Sequence, residues 1–331
     1  MNRKKIAISS GDPAGIGPEI AVKAALDPRV RSICEPLLVG DRGAFELQAR
    51  LCGLAPELRA FANARAVDWE FSGLKLLALD QFRETPLELG KIAAAHGRAA
   101  VDAAGAAIAA ALAGTVDAVV AAPQTEAAIK AAGIEFDGYP SFVARCTGVA
   151  PEDAFLMICF DDKRIVHATL HVSLARALAL VTQERVRKVI AAADETLKRI
   201  GIARPKLAVA GVNPHAGEGG MFGEEEIRVI APTIAAARAA GIDAEGPFGA
   251  DTMFHRTGLD AFIVMYHDQG HIAAKLLARN RTAGLTIGTP ILFSSVAHGS
   301  ALDIAGQNRA SPEAMVEAVK RLVGAAEQRM Q

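Results

Sequence analysis

Aromatic residues are few: they make up 5% of the 331 residues, with a single tryptophan, Trp69. The cores must be built from aliphatic side chains and alanine, which favours helices packed closely on sheets. Cysteine is scarce too. Cys34, Cys52, Cys146 and Cys159 show no C-x-x-C spacing, so they read as buried thiols of a reducing compartment and not as a disulfide frame. An excess of either charge is missing, with a formal net charge of −1. That argues against nucleic acid or an anionic membrane as a partner. Long hydrophobic runs are missing as well. The longest apolar-rich stretch, 99–120, is broken by Asp102, Gly105, Gly114 and Asp117, and predicts a helix, a turn and a buried strand rather than a membrane span. The apolar run after the basic start "MNRKK" is too short for a signal peptide. These absences leave a cytoplasmic globular protein, and its length predicts two domains.

What is present is alternation. Continuous apolar runs such as "KIAIS" (5–9), "PLLVG" (36–40), "VDAVVAAP" (116–123), "RIVHATLHV" (164–172), "KLAVAGVNP" (206–214) and "AFIVMYHDQG" (261–270) are spaced by helical segments. Those segments include 17–26, 95–114, 182–201 and 224–241. This is the pattern of an α/β protein with a mainly parallel sheet covered on both faces. Ligands of such sheets bind beyond the C-terminal ends of the strands. The unusual polar clusters fall there: Gly11-Asp12-Pro13, Asn213-Pro214-His215 and His267-Asp268-Gln269.

Two H-x-x-x-H pairs, His167/His171 and His267/His271, lie at or just past predicted strands. Residues four apart share a face in a helix and in a strand, so spacing alone leaves zinc binding and structural hydrogen bonding both open. His215 sits in a glycine-rich loop after a strand. Histidines from three strand ends could form an open metal site that polarises a carbonyl or alkoxide. "GDPAGIGPE" (11–19) follows a strand and precedes a helix, yet its glycines at 11, 15 and 17 do not fit G-x-G-x-x-G. A standard Rossmann loop is not expected.

Taken in order, "GDPAGIGPE", "GVNPHAGEGGMFGEEE" (211–226), "GPFGADTMF" (246–254), "MYHDQGHIAAK" (265–275) and "SSVAHGSALDIAG" (294–306) resemble the 4-hydroxythreonine-4-phosphate dehydrogenase family over nearly the whole chain. More distantly, "GIGPE" and "HGSALDIAG" look like segments of isocitrate and isopropylmalate dehydrogenases. The resemblance implies two α/β/α domains with a central cleft. We expect a cofactor-side domain of 1–125 plus 275–331 and a metal and dimerisation domain of 126–274. It also implies a homodimer whose subunits share the active site, NAD or NADP as cofactor, and a divalent metal, often zinc, on His171, His215 and His267. By the same carry-over Gly11, Asp12, His298, Gly299 and Asp303 belong to the cofactor site. Lys275 lies in the substrate pocket, and Lys275 and Asp251 are the candidates for general base.

Departures from the family pattern narrow the substrate. The biosynthetic enzymes carry Gly-His-Thr where this chain has Gly138-Tyr139-Pro140, and an arginine where it has Phe293. Phenylalanine cannot replace the bidentate fork that arginine offers a phosphate. "GYPSF" (138–142) looks closer to the terephthalate dihydrodiol dehydrogenases, which turn a cyclic cis-diol dicarboxylate into protocatechuate and carbon dioxide. Tyr139, Pro140, Ser141 and Phe293 would then face a ring, although either aromatic also suits simple packing. Oxidation of a phosphorylated hydroxy acid and a metal- or nucleotide-binding protein without turnover are the competing readings.

Overall fold

The structure is a computed structural model that describes residues 3–84, 86–278 and 282–324. Its strands are β1 (Lys4–Ser9), β2 (Cys34–Gly40), β3 (Leu58–Phe61), β4 (Leu74–Ala78), β5 (Ala118–Ala121), β6 (Phe155–Phe160), β7 (Lys163–His167), β8 (Lys206–Ala210), β9 (Asp243–Phe248), β10 (Ala261–Val264), β11 (Ala283–Ile287) and β12 (Leu292–Val296). Among the described residues the chain divides into two compact units, 3–148 with 290–324, and 149–289.

In the first unit the strands run β3-β4-β2-β1-β5-β12, all parallel. Strand order reverses at β1: the chain moves to one side through β2, β3 and β4, then returns to place β5 on the other. The crevice beyond the C-terminal ends of β1 and β5 is therefore the topological switch point, where open α/β sheets bind ligands. Continuous burial of "AVVA" in β5 is what two covered faces require. The helix Ala94–Leu112 supplies one cover through Ala104, Ala107 and Ile108, which join Val39, Val119 and Phe293 in one apolar cluster. Alanine at these positions keeps the helix close to the sheet.

The second unit is mixed. Its order is β11-β6-β7-β10-β8-β9, with β11/β6 and β6/β7 antiparallel and the other pairs parallel. The parallel β7, β10 and β8 end at one edge, so the segments that follow His167, Val264 and Ala210 emerge together. The helix Gln183–Arg199 is capped by the Thr182 hydroxyl, which accepts from the Arg185 N–H.

The unit boundary differs from the expected one. Segment 126–148 stays with the first unit because Phe136, Phe142 and Val143 pack into its apolar cluster. Segment 275–289 stays with the second because β11 pairs with β6. No described helix is long and apolar enough to cross a membrane.

Candidate functional site

The candidate residues form two groups, one in each unit. In the first unit, Gly11 and Asp12 follow β1. Gly11 has φ +60, and a Cβ there would lie 2.2 Å from the Pro123 carbonyl oxygen. The Asp12 N–H donates to that oxygen at 2.9 Å, which ties the loop after β1 to the loop after β5. The Ile16 N–H donates to the Ser300 carbonyl at 2.9 Å, and a Cβ on Gly15 would approach the same oxygen to 2.6 Å. Close approach thus requires glycine at 11 and 15, and it gathers "GDPAGIG", 122–125 and the "HGSA" loop at the switch point. His298 and Gly299 are exposed on that last loop, and Asp303 lies in the short helix Leu302–Ile304.

This corner holds polar atoms that are buried and have no hydrogen-bond partner among the described residues: Ser9 Oγ, Asp12 Oδ2, Thr125 Oγ1 and Ser300 Oγ. Asp12 Oδ1, by contrast, accepts from the Ala14 N–H at 2.9 Å. An unmet buried polar group costs about 1–3 kcal/mol, and such a concentration at a switch point is chemically suited to a polar ligand. The residues fit a dinucleotide in that sense.

Tyr139 begins the helix Tyr139–Thr147, with Pro140 and Ser141 in its first turn. Its hydroxyl donates to the Ala122 carbonyl at 3.0 Å, and burial pushes its phenol well above the usual range. Phe293 is 1% exposed and packs on the Tyr139 ring with centroids 5.0 Å apart. Phe293 is thus a core residue that backs Tyr139 and does not itself line open space. The reason is its place on β12, a covered strand beside β5.

In the second unit, His267 opens a helix, His267–Ala278, and does not continue the strand. His267, His271 and Lys275 therefore sit one turn apart on one helix face. The rings of His267 and His271 stack at 3.7 Å, and His171 lies 5.7 Å from His267, centroid to centroid. Asp268 Oδ1 accepts from His267 Nδ1 at 2.7 Å. This orients the ring and leaves Nε2 as the lone-pair nitrogen, the arrangement that metal-binding histidines use. His167 Nδ1 donates to the Leu156 carbonyl at 3.3 Å, so its Nε2 accepts from His271 Nδ1 at 3.0 Å. Burial, with neighbouring imidazoles, lowers the His167 pKa to about 3 and that of His271 to about 4. Both rings are neutral at physiological pH. Gly270 is obligatory here, since a Cβ would lie 2.5 Å from His167 Nε2.

His215 is exposed on the loop Pro214–Gly220 and has no ring contact with the other histidines, only with Phe222 at 6.2 Å. Among the described residues, no group of three His, Cys, Asp or Glu side chains is placed to hold a metal ion. The neutral imidazoles and the Asp268 support suit a divalent ion chemically, but the expected triad of His171, His215 and His267 is not assembled as a closed set. His171 and His267 are brought together; His215 is not. Lys275 and Asp251 are exposed. The backbone at Gly249 brings the Asp251 turn near the His215 Cα, within 3.7 Å of where a Cβ would stand.

Two positioning residues, Glu226 and Gln269, lie inside the 211–226 and 265–275 motifs without a role that the motifs reveal. Glu226 is buried, and its Oε1 accepts from the Val212 and Asn213 N–H groups at 2.6 and 2.8 Å. Its Oε2 accepts from Asn213 Nδ2 at 2.9 Å. It anchors a loop in which His215, Ala216 and Glu218 all take left-handed φ of 51, 54 and 42, conformations that each cost about 1–2 kcal/mol outside glycine. Gln269 Nε2 donates to the Gly211 carbonyl at 2.8 Å while its Oε1 accepts from the Met265 N–H at 2.7 Å, joining the ends of β8 and β10. A cavity of about 380 Å³ lined by Arg3, Lys5, Arg31 and Trp69 lies at the opposite, N-terminal edge of β1 and β2 and includes none of the candidates.

The chain belongs to the family of pyridoxal phosphate biosynthetic protein PdxA, whose model matches residues 32–322. It is an enzyme of that family, a dehydrogenase by the names of its relatives. It is 41% identical to a Symbiobacterium thermophilum protein named "Putative D-threonate 4-phosphate dehydrogenase", over 96% of this chain and 95% of that one. Its structure resembles a 4-hydroxythreonine-4-phosphate dehydrogenase from Burkholderia phymatum with a TM-score of 0.87, at 32% identity over 99% and 100% of the two chains. It also resembles a terephthalate 1,2-cis-dihydrodiol dehydrogenase from Burkholderia xenovorans LB400 with a TM-score of 0.76, at 40% identity over 98% of each.

Proposed function

We propose that the protein is a metal-dependent, NAD(P)-linked dehydrogenase that oxidises a β-hydroxy acid and releases carbon dioxide. Its proposed substrate is 1,2-dihydroxy-3,5-cyclohexadiene-1,4-dicarboxylate, the cis-dihydrodiol of terephthalate, and its product protocatechuate. The observation that carries the substrate is Phe293. Where the biosynthetic relatives are expected to place a phosphate-binding arginine, this chain has a buried aromatic ring against Tyr139. Phe293 lies in the core and meets no ligand itself, but it offers no charge to a phosphate, and the half-buried Tyr139 ring it backs is the surface a carbocycle would meet.

In the reaction, the alcohol gives its proton to a base and its hydride to the nicotinamide, which leaves a β-keto acid. Loss of carbon dioxide forms an enol, which tautomerises to the catechol. His171, His215 and His267 would hold a divalent ion, zinc being the first choice, that when bound polarises the alcohol oxygen. The chain's own residues orient the partners. Asp268 fixes the His267 tautomer, Glu226 and Gln269 hold the loops that carry His215 and His267, and Lys275 or Asp251 takes the proton. Gly11, Asp12, His298, Gly299 and Asp303 bind the dinucleotide.

A homodimer is part of the reading. Large apolar side chains left exposed include Leu174, Leu178, Met221, Phe222, Ile272 and Leu276, all in the second unit. Exposed apolar surface of this extent supports association, and a cytoplasmic location agrees with the free thiols. Sedimentation should give a dimer, and Leu276→Asp should shift it toward monomer.

A second reading rests on the 41% identical relative: oxidation of a phosphorylated hydroxy acid such as D-threonate 4-phosphate. One panel decides between them. NADH formation with the cis-diol dicarboxylate, abolished by chelator and restored by zinc, supports the proposal. Turnover of D-threonate 4-phosphate or hydroxythreonine 4-phosphate alone would sink it.

A further inference from the structure

We propose that the cavity at the N-terminal edge of β1 and β2 binds a small organic dianion, held by Lys5 and Arg31 beside the chain's single tryptophan. It is a second site, independent of the dehydrogenase reading. Three neighbouring segments build it: the start of β1 with Arg3 and Lys5, the turn into β2 with Arg31 and Glu35, and the loop 69–72 before β4. Its volume of about 380 Å³ lies within the range of small-molecule sites. Cys34 and Pro36, both buried, line it as well, so charges beside them are screened less than they would be in water. The Lys5 main chain is fixed against Asp117: its N–H donates to Oδ2 at 2.6 Å, and its carbonyl accepts from the Asp117 N–H at 2.8 Å.

The charges of this cavity are not balanced from within. Glu35 is claimed twice, by the Arg3 guanidinium and by the Lys75 ammonium at 3.1 Å. Glu70 is exposed, so water and salt screen its charge. Lys5 has no carboxylate within ion-pair distance among the described residues. Its ammonium lies instead over the Trp69 ring, 4.6 Å from the centroid, and a ring face is a weaker partner than an oxyanion. One Arg31 nitrogen donates to the Ser72 carbonyl, which ties the guanidinium to the loop 69–72 and leaves its other N–H groups for a ligand. Two cations without a carboxylate partner call for two negative charges on one small molecule. A phosphate ester and a dicarboxylate share that chemistry, and both accept from lysine and arginine. A neutral ligand would leave both charges unmet, and a cation would be repelled.

Trp69 is the only tryptophan, so the protein's own fluorescence reads the site. The full-length protein is titrated with inorganic phosphate and with succinate, at an ionic strength held constant with chloride. Emission should change saturably as the ammonium turns from the ring to the anion, and the probe with the lower dissociation constant decides between phosphate and dicarboxylate. Lys5→Met keeps an aliphatic stem beside Trp69 and should weaken that affinity about tenfold, as loss of a charged hydrogen-bond donor does. Arg31→Gln should weaken it about fivefold and carries the test should Lys5→Met fail to fold. A response to both probes that is linear and no larger than that to chloride overturns the proposal. So does an affinity within about twofold of wild type in either folded variant, which would place the anion elsewhere on the molecule. Neither result touches the dehydrogenase reading, which the substrate panel tests by itself.

Discussion

The two units hold their polar chemistry in opposite ways. The first keeps it dry and open-handed: a parallel sheet, tightly apposed loops at Gly11 and Gly15, and side chains at the switch point that have lost water without gaining a partner. The second satisfies its polar groups internally. His167 and His271 bond to each other, Glu226 holds the strained loop that carries His215, and Gln269 ties the ends of β8 and β10. Under the proposed function a site of the first kind would take a ligand with many hydrogen-bonding atoms, as a dinucleotide has. One of the second kind fixes a few side chains in place, as a metal and a reacting alcohol need.

The contrast can be broken first at His267. Replacing it by alanine should lower turnover by more than about a hundredfold, beyond what loss of an outer partner costs a metal site, and should lower bound zinc in parallel; unchanged metal content would remove His267 from the ligand set. Next comes Glu226→Ala, expected to destabilise the fold by about 3 kcal/mol because two main-chain N–H groups and the Asn213 amide lose their charged acceptor. Urea unfolding measures it, and a change below about 0.5 kcal/mol would mean the loop holds itself. Gly270→Ala should cost about 1–3 kcal/mol by forcing a Cβ into His167, whereas Gly105→Ala, with open space around its Cβ, should be neutral or stabilising. Equal effects at both would show that the histidine cluster is loose.

The pH dependence of the metal-free protein sharpens the comparison last. His167 and His271 have folded pKa values of about 3 and about 4 against an ordinary 6.5. The unfolded chain therefore binds protons first as pH falls. The stability that their neutrality supports is whole above about pH 6.5 and drains as pH falls from 6.5 to about 3. The double variant His167→Gln/His271→Gln should flatten that part of the urea profile; a slope that survives both changes would assign the loss to carboxylates.

Much of this was legible beforehand because it is carried by local pattern. Buried strands read as apolar runs, Gly114 stops the long alanine helix with φ +67, and polar clusters follow β1, β8 and β10 as α/β sheets require. What was not legible depends on partners distant in the chain. The stretch "MYHDQGH" reads as the tail of a strand, yet β10 ends at Val264 and the histidines belong to a helix. Glu226 is one of three consecutive glutamates, and only the fold shows that it alone is buried under the loop. Phe293 reads equally as a ring-binding wall or as core, and its 1% exposure makes it core.

The sequence by itself thus determined the α/β class, the segments that carry chemistry and the kinship to one dehydrogenase family, because period, glycine placement and motif order are properties of neighbours along the chain. Tertiary structure decided which histidines meet, which carboxylate anchors a loop and which polar atoms are left without partners. Those outcomes depend on burial and on distances between residues tens to hundreds of positions apart, such as His167 and His271 or Gly211 and Gln269, and no local pattern encodes them.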